Sequence, residues 1–179
     1  MDISRHFFVG WLLSSLACGG QGPSAQQSPQ ALRAAGTDAR PFNATFSYPA
    51  GATRVTCLDP PACTRILFEA ETSGYAQGLG DATVSQRHVA VFASDAPPVV
   101  TDGVATITLR SGTISVTYSG PVLPTPVPGL ILVQLTWTNT GGTGRFAGGG
   151  GSGSIDVIGH PDGTFLAAIQ GTLILPHDD

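Results

Sequence analysis

The residues of this sequence that could carry chemistry are two carboxylates and one histidine. Glu69 and Glu71 are two positions apart, so on a strand they share one face. Paired carboxylates can perform acid–base chemistry when burial separates their pKa values. His88, beside Arg87, could join either glutamate in a small polar site at a barrel mouth. Because the glutamate face lies opposite the apolar face that contains Phe68, the pattern favours a solvated outer face for the glutamates, and for His88 a surface position.

No other set of residues has the spacing of a catalytic or metal site. His88, His160 and His177 are too far apart in sequence to show metal-ligand spacing. The nucleophile motif G-x-S-x-G does not occur, and the glycines of segment 141–153 lack the spacing of a phosphate cradle. Arg145 could bind an anion, although a salt bridge or a solvated loop position is the simpler interpretation. The sequence thus predicts no catalytic, metal or cofactor-binding residue, and it favours a non-catalytic protein without deciding the point.

The N-terminal segment MDISRHFFVGWLLSSLACGG has the layout of a secretory signal peptide. Its apolar run covers about ten residues, whereas a membrane-spanning helix needs roughly 20. Ser15-Leu16-Ala17-Cys18 resembles a bacterial lipobox, although Ser15 stands where the usual motif has leucine. Ser15-x-Ala17 also satisfies the small-x-small rule of the ordinary signal peptidase at the same bond. We therefore predict a signal peptide over residues 1–17 and export, with a mature chain that begins at Cys18.

The three cysteines agree with export. Cys57 and Cys63 are separated by five residues that include a Pro-Pro pair, and an oxidising compartment favours a disulfide between them. Two free thiols are the alternative, while two thiolates without a nearby histidine do not make a zinc site. Cys18 is then left over, and a lipid anchor in the cell envelope would account for it. Any membrane contact would be made through that anchor, and without it the exported protein would be extracellular.

The composition describes one domain of low charge. Charged residues make up 11% of the 179-residue chain, the net charge is −4, and all eight basic residues are arginine. Nucleic acid is excluded as a partner, because phosphate binding needs a concentrated basic patch. Residues 18–40 are rich in Gly, Ser, Gln, Ala and Pro and predict a flexible, disordered tether. Residues 41–176 form the predicted folded domain.

Alternation of apolar and polar residues predicts about eight strands with short links. They cover residues 42–48, 64–73, 81–94, 104–110, 113–119, 130–139, 154–158 and 164–175. The alternation slips near Arg87 and His88, which predicts a bulge. The proline-rich segment 121–129 is predicted to be a loop or an edge. A closed antiparallel barrel removes exposed edges and is the expected fold, with a two-sheet sandwich as the alternative.

One apolar face of these strands would point inward. Its members are Phe46, Phe68, Leu109, Tyr118, Leu135, Trp137, Phe165 and Ile169. Of these, Phe68, Tyr118, Trp137 and Phe165 are the candidate lumen residues. Eight-stranded barrels either fill their interior with such side chains or hold one small ligand. An apolar lumen would favour a lipid-like or aromatic guest.

The glycine segment resembles a known family. The run from Gly141 to Gly148, followed by Gly151-Ser152-Gly153, is similar to the GGTGRFAGATGSG signature of small exported bacterial proteins that look like relatives of allene oxide cyclase and plant dirigent proteins. The ending 162–173 is similar to the closing strand of that family. The resemblance implies an eight-stranded, calycin-like barrel, often a homo-oligomer in the plant members. The active-site residues of those enzymes cannot be placed on this sequence. Glycines permit close backbone approach, and Phe146 is expected to plug one end of the barrel.

Three functions remain open at this point. The first is a structural or interaction module of the cell envelope, with a packed interior. The second is a binder of a small apolar molecule in the lumen. The third is an isomerase or cyclase that resembles allene oxide cyclase. A void larger than a few waters would separate the second from the first, and an ionisable residue inside an apolar cavity would favour the third.

Overall fold

The computed structural model of the chain describes residues 37–176, which form an all-β fold. The strands are β1 (Thr37–Tyr48), β2 (Thr53–Cys57), β3 (Arg65–Ala76), β4 (Gly80–Val91), β5 (Val99–Leu109), β6 (Gly112–Leu123), β7 (Ile131–Gly142), β8 (Gly150–Gly159) and β9 (Phe165–Pro176). A single turn of 3₁₀ helix, Gly144–Phe146, lies between β7 and β8. Within residues 37–176, no helix is long and apolar enough to cross a membrane. The predicted signal peptide, Cys18 and most of the predicted tether lie outside the described residues.

Eight of the strands close into a barrel. Neighbouring strands are antiparallel in the order β1-β9-β8-β7-β6-β5-β4-β3-β2. β1 also pairs with β3, where Ala44 lies opposite Ala76, and this pairing closes the ring. β2 pairs with the remaining half of β3 as an extra strand. The eight-stranded antiparallel barrel predicted from the alternation is confirmed, and the sandwich alternative is wrong.

Several strand boundaries differ from the prediction; β5 and β8, for example, begin at Val99 and Gly150 rather than at residues 104 and 154. β1 begins at Thr37 rather than at residue 42, because residues 37–40 pair with residues 173–176 at the end of β9. The short strand β2 was not predicted. β6 continues through Pro121 to Leu123, where a loop or an edge was expected, because the strand pairing with β7 resumes at Val122 and its partner Val133.

The predicted irregularity near Arg87 and His88 is present, but the extra residue belongs to the neighbouring strand. The β4–β5 register shifts between Arg87 and Val89, and the β5–β6 register shifts between Val100 and Gly103. β5 therefore carries the bulge, and Asp102 within it has φ of 53°. A bulge bends its strand and redirects the side chains around it. This one lies directly opposite His88.

The two ends of the barrel are closed to different degrees. At one end β1 begins and β9 ends, and the 3₁₀ turn carries Phe146 into the core, where it is 1% exposed. Phe42 and Leu173 are buried in the same core cluster. We call this the closed end. At the other end, which we call the mouth, β1 ends at Tyr48 opposite Phe165, the first residue of β9. The predicted plug at Phe146 is therefore present in the structure.

A disulfide between Cys57 and Cys63 closes the loop that links β2 to β3 at the mouth. Asp59 holds the same loop, accepting hydrogen bonds from the Thr64 hydroxyl and from the backbone N–H of Arg65. The Thr64 hydrogen bond, followed by that of Arg65, keeps the pKa of the Asp59 carboxyl below its usual value. The predicted pairing of these two cysteines agrees with the structure.

Candidate functional site

The barrel encloses a cavity of about 290 Å³ between the mouth and the packed closed end. Its wall is built from inward-facing residues of the barrel strands and is almost entirely hydrocarbon. Five wall residues carry a side-chain polar atom, namely Tyr48, Thr53, Gln86, His88 and Tyr118. Among residues 37–176, no Asp, Glu, Lys or Arg lines the cavity. The volume is close to the lower end of the range of about 300–1,000 Å³ for small-molecule sites.

The cavity reaches solvent at the mouth. Phe92, which follows β4, and Ile131, which begins β7, both line the cavity. Both are also partly exposed, by 39% and 41%. A guest molecule could therefore enter between the mouth loops without opening the barrel wall.

The main polar feature of the cavity is a hydrogen bond between two strands. His88 Nδ1 lies 3.0 Å from the hydroxyl oxygen of Tyr118. The Tyr118 hydroxyl also lies 3.5 Å from Gln86 Oε1 and 3.4 Å from the carbonyl oxygen of Arg87, both of which can accept its proton. The imidazole is further held by Phe68, whose ring stacks on it at 5.2 Å between centroids and an 18° interplanar angle. Both rings are thus fixed by contacts on more than one side.

The bulge in β5 makes this arrangement possible. Gly103, at the bulge, lies opposite Tyr118 on β6. A Cβ atom at this glycine would come within about 2.5 Å of the Tyr118 ring carbons. The tyrosine ring therefore lies flat over the glycine and reaches across β5 towards His88 on β4. Gly103 and the one-residue bulge in β5 together bring Tyr118 into contact with His88.

Burial changes the proton affinity of each group in this cluster. Desolvation lowers the pKa of His88 to about 4, because the charged imidazolium would lose its water in an apolar wall. Desolvation also raises the pKa of the Tyr48 and Tyr118 hydroxyls, and Tyr118 is raised further by the charge that Tyr48 would carry. All three groups are therefore neutral around pH 7. The cluster offers hydrogen bonds without a formal charge.

Two polar atoms of the cluster have no hydrogen-bond partner within residues 37–176. Nδ1 is the His88 ring nitrogen that bonds within the protein, and the structure gives no partner to Nε2. The Tyr48 hydroxyl has none either, although the residue is only 3% exposed. Yet among residues 37–176 no buried side-chain nitrogen or oxygen lacks a hydrogen bond. Nε2 and the Tyr48 hydroxyl are therefore open to the cavity space rather than sealed in the core.

Three of the four predicted lumen residues line the cavity, namely Phe68, Tyr118 and Phe165. Trp137 does not. It faces inward, but it lies in the packed core, where its indole N–H donates to the Gln170 carbonyl at 3.0 Å and its ring meets Phe42 edge-on at 5.9 Å. Alternation assigns a side chain to the interior but cannot give its height along the barrel, which is set by the stagger between strands.

The predicted surface position of His88 is wrong. The bulge lies in β5, not in β4, so the alternation of β4 continues and its even-numbered residues, Gln86 and His88 included, face the cavity. Glu69 and Glu71 lie on the outer face, as predicted, and therefore do not join His88 in a polar site. Arg145 is exposed next to Phe146, in the solvated loop position that was the simpler interpretation.

Tyr48 and Gln86 are the functional candidates that the sequence reasoning did not name. Tyr48 has the same parity as Phe46 on β1, and this was the available signal for an inward position. Its role as a cavity-facing hydroxyl depends on the mouth geometry, which no local pattern reveals. Gln86 has the parity of His88 and was hidden by the same misassigned bulge.

Comparison of the chain with protein-family models, with curated proteins and with solved structures gives no match. The class of the molecule therefore follows from its own geometry. It is a closed antiparallel β-barrel with a hollow, uncharged lumen that opens at one end. The chemistry that such a lumen offers is exclusion of water from an apolar guest, together with hydrogen bonds from neutral side chains.

Proposed function

We propose that this protein binds a small apolar molecule in the barrel lumen. The observation that carries the proposal is the cavity itself, about 290 Å³ of uncharged space that reaches solvent at the mouth. A cavity of roughly 150 Å³ with similar apolar walls is large enough to hold benzene. A barrel with a purely structural role would be expected to fill this space with side chains, as interiors normally do.

The pKa shifts weigh against the isomerase alternative. His88 and Tyr118 are ionisable groups inside an apolar cavity, which is the feature that favours catalysis. General acid–base catalysis works best, however, when the pKa of the group lies near the working pH. Burial lowers the pKa of His88 to about 4 and raises the pKa of Tyr118. Both shifts suit hydrogen bonding to a guest better than proton transfer.

The binding function fits an exported protein held at a surface. We propose cleavage before Cys18 and a lipid anchor on that residue, supported by the signal-peptide layout and by a disulfide that is typical of oxidising compartments. β1 starts at the closed end, so a tether that leads into Thr37 joins the barrel opposite the mouth. The lumen would then remain accessible to a diffusing guest. Mass spectrometry of the exported chain tests this part through the mass of its N-terminal peptide.

A matched pair of variants tests the lumen proposal. Val133 lines the cavity, whereas its neighbour Leu132 is half-buried on the outer face. Val133→Phe should fill part of the void and weaken binding of a neutral fluorescent probe, such as N-phenyl-1-naphthylamine, at least tenfold. Leu132→Phe should leave binding unchanged. Equal binding by both variants, or no binding by the unaltered chain to any probe from benzene to bicyclic aromatics, would exclude the lumen as the site.

A further inference from the structure

The cavity holds a polar site at one place in an otherwise apolar wall. Both residues line the void, and His88 Nε2 and the Tyr48 hydroxyl have no hydrogen-bond partner in the described part of the chain, as stated above. Tyr118 lies near both residues, since its hydroxyl bonds to His88 and its pKa is raised by the charge that Tyr48 would carry. A purely hydrocarbon guest would cover these atoms and leave them unpaired, at a cost of about 1–3 kcal/mol for each such group.

We infer that the ligand of this lumen is a neutral molecule with one hydroxyl group on an apolar body, and that Tyr48 and His88 bind this hydroxyl. The inference rests on the proposed lumen function and names its ligand class. A hydroxyl both donates and accepts, so it can satisfy a phenol and an imidazole nitrogen at once in either tautomer of the ring. Phenols and alcohols of aromatic or terpenoid size belong to this class.

The same geometry excludes ionic guests. Within residues 37–176, no Asp, Glu, Lys or Arg lines the cavity. The groups around His88 are uncharged, namely Phe68 on β3, Tyr118 on β6 and Gln86 on the same strand as His88. Burial keeps the imidazole neutral at pH 7. A carboxylate in this lumen would lose its water and find no opposite charge, which is strongly unfavourable.

Three probes of one shape test the inference. The full chain is titrated with naphthalene, 1-naphthol and 1-naphthoate at pH 7, with binding followed by calorimetry. We expect 1-naphthol to bind roughly tenfold more tightly than naphthalene, the factor that about 1.4 kcal/mol of hydrogen bonding gives. We expect 1-naphthoate to bind more weakly than either. Equal affinity for naphthol and naphthalene would overturn the inference while the lumen proposal stands, and binding of none of the three would count against the lumen proposal itself.

Two variants locate the hydroxyl contact. Tyr48→Phe combined with His88→Phe keeps ring shape and removes both polar atoms, so the ratio of naphthol to naphthalene affinity should fall to about one. Tyr75→Phe removes a hydroxyl from an exposed residue on the outer face and is the matched control. A ratio that stays near ten in the double variant would assign the hydroxyl contact to other residues and overturn the inference. The selectivity of the unaltered chain is measured independently of how well the variants fold.

Discussion

His88 Nδ1 and the Tyr118 hydroxyl lie 3.0 Å apart on the inner side of the barrel wall, although the two residues are 30 positions apart on strands that are not neighbours. β5 lies between β4 and β6, and the contact passes over it at the bulge. This hydrogen bond fixes the orientation of the imidazole. It thereby determines that Nε2, rather than Nδ1, is the ring nitrogen available to a guest.

The first prediction concerns the pH dependence of stability. The pKa of His88 is lowered to about 4 in the folded chain, compared with about 6.5 for an unfolded histidine. The unfolded state therefore binds more protons between these values, and the stability that His88 contributes is complete above pH 6.5 and is lost as the pH falls towards 4. The loss is at most about 3 kcal/mol. Urea unfolding of the full chain between pH 4 and 7 measures it.

His88→Phe is the matched variant for this measurement, because it keeps an aromatic ring beside Phe68. The difference in unfolding free energy between the two proteins should shift in favour of the variant as the pH falls from 6.5 to 4. Parallel pH curves would show that His88 titrates normally and is not buried in the wall.

The second prediction concerns the glycine beneath Tyr118. Gly103→Ala places a methyl group against the tyrosine ring and should destabilise the barrel by about 2 kcal/mol, in the range found for overpacked interiors. In a Tyr118→Ala background the ring is absent but the backbone carbonyl oxygen of residue 118 still clashes with the added Cβ, so the same substitution should still destabilise the barrel, by a smaller amount. A double-mutant cycle measures this coupling, and an additive result would contradict the role assigned to Gly103.

The third prediction compares the two ends of the barrel. Phe146→Ala should cost about 3–5 kcal/mol, because it leaves a cavity in the packed closed end. Phe92→Ala removes the same side chain from the mouth, where it is 39% exposed, and should cost less than about 1 kcal/mol. Thermal unfolding of both variants provides the comparison. Similar losses at the two positions would mean that the mouth is as tightly packed as the closed end.

The fourth prediction concerns the disulfide at the mouth. The Cys57–Cys63 bridge closes a short loop, and removing it should lower stability by about 2 kcal/mol according to the loop-entropy relation. The effect should be centred on β2, which pairs only with β3 in the sheet. Hydrogen exchange of a Cys57→Ser/Cys63→Ser variant should be faster in β2 than it is in the unaltered chain, whereas exchange in β7 should be the same in the two proteins. Unchanged protection of β2 would indicate that its pairing alone holds the strand.

The sequence predicted the barrel well because alternation is a local signal. The inward parity of residues such as Phe46, Leu135 and Ile169 can be read from neighbours two positions away, and each is buried in the core. The plug formed by Phe146 could be expected because glycines surround it, and Gly144 indeed has a φ of +60°. These features depend on few residues that are close in the chain.

The candidate site was not predictable in the same way. The slip in the pattern near His88 was assigned to β4, whereas the extra residue lies on β5 at Asp102. A bulge in β4 would place His88 on the surface, away from Tyr118. With the bulge in β5, His88 faces inward and contacts Tyr118. The heights of Trp137 and Tyr118 along the barrel depend on the stagger between strands, which no single strand contains. The alternation within one strand does not show which residues of distant strands come into contact.

A crystal structure of the chain soaked with 4-bromo-1-naphthol tests the central claim most directly, because bromine can be located by its anomalous scattering. The predicted result is a bromine peak inside the wall formed by residues such as Phe68, Val133 and Phe165, with the ligand hydroxyl within hydrogen-bond distance of His88 Nε2 or the Tyr48 hydroxyl. Bromine found only on the outer surface of the barrel, or a lumen without bound naphthol at saturating concentration, would contradict the account.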